Sequence, residues 1–266
     1  MRHEFIYNGM NSFDYGLHTS GKDTWTRPQP DITRISVPGR NGDLIQLGNR
    51  FQNVDITYHC GIIRELAMNF DAFNAKLLTD AGYHRLEDSY HPEYFRMAVF
   101  ESALDPDVKG RAVNGEVDIK FNCKPQMYLK SGEKEVYVRS TSIVLYNPTK
   151  YPAYPLVRFT PSSSTGDGYI QIGDAVMSWN DIGAGQVNST IADCERQDIY
   201  GEAGRSNRNN YYTLESGEFF TLMPGRNVVR SSRIASLYIT PRWWTVLCEG
   251  PAEEGGSQHY QPPETR

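Results

Sequence analysis

Glu87, Asp88 and Glu93 flank His91 within the seven-residue run EDSYHPE. Two carboxyls and an imidazole at such spacing are the groups that glycoside hydrolysis and general acid–base chemistry need, one carboxyl kept protonated and another ionised. The run joins two strand-like segments, and its centre is turn-forming, so a solvated hairpin loop is the first reading and catalysis the second. Other chemical signatures are missing: the sequence has no GxSxG elbow, no HExxH pair and no Walker loop. GAGQVN (183–188) begins like a dinucleotide loop but lacks the third glycine and the following helical pattern, and reads as a turn. Asn188-Ser189-Thr190 is a glycosylation sequon without a secretion signal to give it meaning. Cys60, Cys123, Cys194 and Cys248 form no CxxC pair and have no histidine at zinc spacing, so neither a metal nor a cofactor is expected. Cys60 and Cys123 each end an alternating strand on its apolar side and read as buried thiols.

Two phrases carry more information. VPGRNGDL (37–44) holds the turn dipeptides Pro38-Gly39 and Asn41-Gly42, which define a tight loop. Arg40 and Asp43 are placed in it to pair with each other or across a subunit boundary. A phosphate cradle is the weaker use, because no helix follows directly. Pro38, Gly39, Arg40, Asn41, Gly42 and Asp43 are therefore the candidate turn and subunit-interface residues. ITPRWWTV (239–246) supplies Pro241, Arg242, Trp243 and Trp244 as candidate framework of the second half. Neighbours on a strand face opposite ways, so the two indoles cannot form one sugar-stacking platform; one is expected in a core and the other at a surface or interface.

The elements that must position these residues are mostly strands. Val54, Ile56, Tyr58 and Cys60 alternate with polar residues, as do Val117, Ile119, Phe121 and Cys123, which predicts antiparallel strands with one face in a core. Further strands are expected at 34–37, 82–87, 93–100, 135–139 and 142–146. Ile62, Leu66, Phe70, Phe73 and Leu77 form one stripe at helical spacing and predict a single helix on the sheet, stopped at Gly82. The texture changes near residue 140. Three prolines in 146–159 read as a domain entrance followed by an edge strand. Short strands are then expected at 169–173, 175–179, 197–200, 219–222, 228–230 and 237–240, without a helix, as in a sandwich or jelly roll. The reading is a mainly β chain: an N-terminal sandwich-like domain with one α-helix over 1–140, a β-sandwich over 141–249, and an aperiodic tail over 250–266.

Composition sets limits. The 266 residues, 39% hydrophobic and 22% charged, suffice for a core in each of two domains. Net charge is −5, which argues against a surface that grips nucleic acid by counterion release. Seventeen tyrosines suit strands and interfaces. The sequence shows no signal-peptide pattern and nothing approaching the ~18 apolar residues of a membrane span, so a soluble chain made in a cytoplasm is expected.

The order of these phrases resembles the distal tail proteins of siphophages. The N-terminal half carries VPGRNGDL, VDITYHC, the helix, YHRLEDSYHPEYFRMAVF and VDIKFNCKPQMYLKSG; Leu86, Glu87 and Asp88, and then Phe121, Cys123, Lys124, Pro125 and Tyr128, stand where that family has its own signatures. The second half resembles the family's galectin-like domain through NPTKYPAYPLVRF, YIQIGD, DIYG, LMPGRNVV and ITPRWWTV. The resemblance spans roughly residues 1–248. It implies a non-enzymatic virion protein: a hexameric hub between tail tube protein and the tail tip or tail-associated lysin, with a channel that DNA crosses without specific binding. Outward galectin-like domains would hold receptor-binding proteins. No membrane and no cofactor are implied. Galectin sugar binding is not expected to carry over, because the sandwich lacks a histidine and Trp179 has no evident partners. A carbohydrate-binding virion module aiding adsorption to a cell wall is the alternative, and a two-domain hydrolase using Glu87, Asp88 and Glu93 a third.

Overall fold

The structure is a computed structural model that describes residues 3–62, 66–79, 82–102, 104–109, 114–183, 187–202 and 206–246. The chain opens with β1 (Phe5–Tyr7), β2 (Met10–Asn11) and β3 (Leu17–Thr19). A hairpin follows, β4 (Pro30–Ile35) with β5 (Leu44–Phe51). Next come β6 (Val54–Ile62), α1 (Leu66–Thr79), β7 (His84–Asp88), β8 (Tyr94–Phe100), β9 (Asp107–Lys109) and β10 (Asn114–Leu129). One antiparallel sheet runs β2-β1-β7-β8-β10-β6-β3, with β9 a further partner of β10.

β10 organises this sheet. Its first part pairs with β6 and its second with β8, and the register shifts between Cys123 and Met127. Pro125 lies in that interval, where it has no N–H to give the ladder. Phe121 is fully buried at the crossing, with ring centroids of Tyr7 at 4.8 Å, Phe5 at 5.6 Å, Phe100 at 5.9 Å and Tyr58 at 6.1 Å. Phe73 and Leu77 of α1 close this core. Ile62, however, is not the first member of the helical stripe. It ends β6, because the period-two run Val54, Ile56, Tyr58, Cys60, Ile62 continues inward one step further.

The second unit contains β11 (Val136–Tyr137), β12 (Ser142–Asn147), β13 (Leu156–Pro161), β14 (Gly168–Ile172), β15 (Ala175–Trp179) and β16 (Thr190–Asp193). β17 (Asp198–Gly201), β18 (Thr213–Leu214), β19 (Gly225–Ser232) and β20 (Ile234–Thr240) complete it. Two five-stranded antiparallel sheets, β11-β20-β13-β16-β17 and β12-β19-β14-β15-β18, enclose a separate core around Phe159, Trp179 and Phe220. The mainly β reading with one α-helix thus holds among the described residues.

Three strand expectations need correction. β13 is not an edge strand: it pairs with β16 on one side and β20 on the other. Its prolines fall where no ladder hydrogen bond is lost, Pro155 before the strand and Pro161 at a register shift. Residues 219–222 form no strand, only an isolated bridge between Leu222 and Ala153. The strand expected at 34–37 is β4, which ends at Ile35 before the Pro38 turn. The 250–266 tail and Cys248 lie outside the described residues.

The chain finally returns to the first unit. β21 (Trp244–Thr245) pairs with Met127 and Tyr128 of β10, so the last described strand of the chain stitches the two units together.

Candidate functional site

The acidic cluster folds into structure rather than chemistry. Glu87 is ion-paired with both Arg85 and Lys130. Burial opposes its ionisation, but the Lys130 and Arg85 contacts outweigh that and hold its pKa below the ordinary carboxylate value. Asp88 accepts from the Tyr58 hydroxyl at 2.9 Å and from the backbone N–H groups of Tyr90 and His91 at 2.9 and 2.8 Å. The His91 Nδ1 lies 2.9 Å from it. Burial raises the Asp88 pKa; the His91 ring and these donors more than reverse that. Both carboxyls are therefore stabilised as anions, and neither is poised as the protonated acid that glycoside cleavage needs. Glu93 is exposed. The cluster is a turn-forming network that fixes the 88–94 loop.

The VPGRNGDL loop sits at the far end of the β4–β5 hairpin. Gly39 follows Pro38 at φ +77°, and the Arg40 N–H donates to the Val37 carbonyl at 3.2 Å, the pattern of a Pro-Gly turn. Arg40, Asn41, Gly42 and Asp43 are all exposed, and among the described residues no ion pair joins Arg40 to Asp43. The hairpin forms a sheet of its own and packs into neither core. Register pairs Ile32 with Leu47 and Arg34 with Ile45 on one face, and Thr33 with Gln46 and Ile35 with Leu44 on the other. Apolar side chains therefore stand on both faces. Ile45 and Leu47 are 60% and 62% exposed, Leu44 is 53%, and Ile35, Ile32 and Val37 are also exposed. Such a concentration of exposed apolar residues marks an interaction surface.

The base of this arm is anchored. Arg50 Nε donates to Asp31 Oδ2 at 2.6 Å across the hairpin. Asn53 Nδ2 donates to the Tyr83 hydroxyl and to Asn122 Oδ1, both at 2.7 Å. On the incoming side, the His59 ring lies between Asp23 at 2.8 Å and Asp118 at 2.6 Å, and Trp25 packs on His91 with centroids 4.5 Å apart.

ITPRWWTV lies at the junction of the two units. Pro241 is buried and Trp243 is 6% exposed in the core of the second unit. Trp244 is partly buried: it stacks on Tyr151 and its Nε1 donates to the Pro152 carbonyl at 2.8 Å. Arg242 takes a left-handed backbone, φ +59°, and its guanidinium meets buried Asp193 at 2.8 Å and Glu195 at 3.6 Å. Glu195 also accepts from the Tyr128 hydroxyl at 3.3 Å and lies 3.9 Å from Lys124. A cleft of about 600 Å³ opens here between Phe95, Tyr128 and Arg242. Its carboxylates Asp193, Glu195 and Glu133 are already engaged by Arg242, Tyr128 and Arg85. That arrangement suits a fixed joint better than a ligand pocket.

Trp179 is 2% exposed and lies against Phe159 and Tyr212, so it offers no face to a sugar. No group of three or more His, Cys, Asp or Glu side chains is placed to hold a metal among the described residues. No described helix is long and apolar enough to cross a membrane.

Sequence reasoning missed β5 as the partner strand of the arm, and it missed Asp193, Glu195 and Tyr151 at the joint; Tyr128 stood in it only as a signature residue. The signal for β5 was present in Leu44, Ile45 and Leu47, an apolar cluster without alternation just after a turn.

This architecture, an armed sheet joined to a two-sheet sandwich, has counterparts among solved structures. The crystal structure of the SPP1 Dit (gp 19.1) protein, described as a hub adsorption apparatus in phages infecting Gram-positive bacteria, matches with TM-score 0.71 over 91% of this chain and 99% of that one, at 13% identity. A chain in the phage P2 baseplate, in its activated conformation with Ca, matches with TM-score 0.55 over 90% and 97% at 8% identity. The corresponding Sr structure gives TM-score 0.54 at 9% identity. No protein-family model matches the sequence, and no curated protein matches it significantly.

Proposed function

We propose that this chain is a structural hub subunit of a phage-type tail. The observation that carries the reading is the match to the SPP1 hub protein over 91% of this chain and 99% of that one. On this reading residues 1–140 close a homo-hexameric ring between the tail tube and the tail tip or lysin. Residues 141–249 form an outward galectin-like sandwich that carries receptor-binding proteins.

The arm supports the ring. A hairpin apolar on both faces is stabilised by lying between two surfaces, and copies of the same chain in a closed ring provide them. Each fully buried Val, Leu or Ile contributes about 1.5–3 kcal/mol, and six such residues stand exposed on and beside the hairpin. The net charge of −5 suits a conduit that DNA crosses without sticking. The tied carboxyls and the buried Trp179 count against the hydrolase and lectin readings.

Sedimentation of wild-type protein and an Ile45→Asp/Leu47→Asp double variant tests the proposal. Wild type should sediment as a ring-sized species, and the variant as a folded monomer. Equal assembly of both would refute a role for the arm.

A further inference from the structure

The sequence contains three Asn-Gly pairs: Asn8-Gly9, Asn41-Gly42 and Asn114-Gly115. Glycine after asparagine leaves its amide nitrogen unshielded for attack on the asparagine side chain. Sequence alone treats the three alike; the fold does not.

Asn8-Gly9 is the two-residue turn between β1 and β2, with Tyr7 paired to Met10 and φ values of +48° and +76°. The Asn8 N–H also donates to the Arg85 carbonyl at 2.9 Å. Closing a five-membered ring there requires Asn8 to leave the left-handed φ the turn imposes, and so requires the hairpin to open. Gly115 lies within β10, paired with Ile62 on one side and Val108 on the other, so its reaction needs the ladder to part. Asn41-Gly42 lies at the exposed tip of the arm, beyond the last pair Ile35–Leu44. Gly42 is left-handed at φ +83°, but Asn41 is not, and among the described residues no backbone hydrogen bond holds Asn41 or Gly42.

We propose that Asn41 is a self-modifying site of this protein, converting to aspartate and isoaspartate through a succinimide. The Gly42 nitrogen attacks Asn41 Cγ; the new N–C bond forms, the Cγ–amide bond breaks, and the amide nitrogen leaves as ammonia with the proton lost from Gly42. Water then adds to either ring carbonyl and opens the ring. The net change is one water in and one ammonia out, without oxidation or reduction. It places a second carboxylate two residues from Asp43, and in the isoaspartyl product lengthens the backbone at the tip by one carbon. The arm's apolar faces then end in a more anionic tip, whatever surface they meet.

The test is peptide mapping of the intact native protein, aged in mildly alkaline buffer at physiological temperature. Asn41 should convert at least about tenfold faster than Asn8 or Asn114, since the latter two must first open hydrogen-bonded structure. Gly42→Ala should slow Asn41, and in denaturant the three sites should converge. Equal native rates, or faster conversion at Asn8 or Asn114, would overturn the assignment. The readout is chemical, so it stands or falls separately from the hub reading.

Discussion

The indole of Trp244 stacks on the ring of Tyr151 with centroids 4.6 Å apart and planes inclined by 24°. Trp244 belongs to the strand that pairs with Tyr128 of the first unit, whereas Tyr151 enters the second. Phe51, the last residue of the arm, meets the same Tyr151 edge-on at 6.1 Å. Arm, sheet and sandwich thus converge on one aromatic contact. Trp244→Ala removes the stack and the bond to the Pro152 carbonyl. It should cost about 2–4 kcal/mol, somewhat under a full core truncation, read by urea unfolding.

Arg242 and Asp193 make the second fastening. Asp193 is 3% exposed, so losing Arg242 leaves a buried carboxylate with only the longer, exposed Arg196 contact at 3.7 Å. Arg242→Ala should destabilise by about 3–5 kcal/mol. Arg242→Ala combined with Asp193→Ala should cost less than the sum of the single changes, because the pair is coupled.

His59 gives the fold a pH dependence. The Asp23 contact raises its pKa, burial opposes this, and Asp118 adds to the rise. A raised folded-state pKa means the contribution is complete below the ordinary value of 6.5 and is lost as pH rises through the folded pKa. Wild type should therefore lose stability relative to His59→Gln as pH climbs above that value. Asp88 acts in the opposite direction: its pKa is lowered, so its contribution is present above the ordinary value of 3.8 and lost as pH falls below it. Unfolding midpoints across the two windows check both signs.

Cys60, Cys123 and Cys194 are buried free thiols, and burial pushes each up to about 12. Thiolate is the reactive form, so these three should resist alkylation in native buffer and react on unfolding. Labelling followed by peptide mapping distinguishes them individually.

Much of the fold was legible where one face of a strand meets a core. Val54 to Cys60 and Val117 to Cys123 alternate because only one side is dry, and the structure places both in the first core. β15 spans the expected 175–179. The arm strand β5 was not legible for the complementary reason: with both faces apolar, its sequence has no period of two. The proline-rich entrance misled about β13, since prolines at the ends of a strand leave its middle free to pair on both sides. The joint was illegible because Arg242, Asp193, Glu195 and Tyr128 come together only through tertiary packing. The Glu87–His91 cluster showed its residue types in the sequence, but not that Lys130, Arg85 and Tyr58 would hold both carboxyls ionised.

The most direct test of the hub reading is the mass and shape of the purified protein, from light scattering after gel filtration with negative-stain images of the same peak. The account predicts a ring of six, or two stacked rings of six, around a central hole, abolished by Ile45→Asp/Leu47→Asp. A compact monomer near 30.2 kDa at every concentration, with and without tail tube and tip partners, would contradict it.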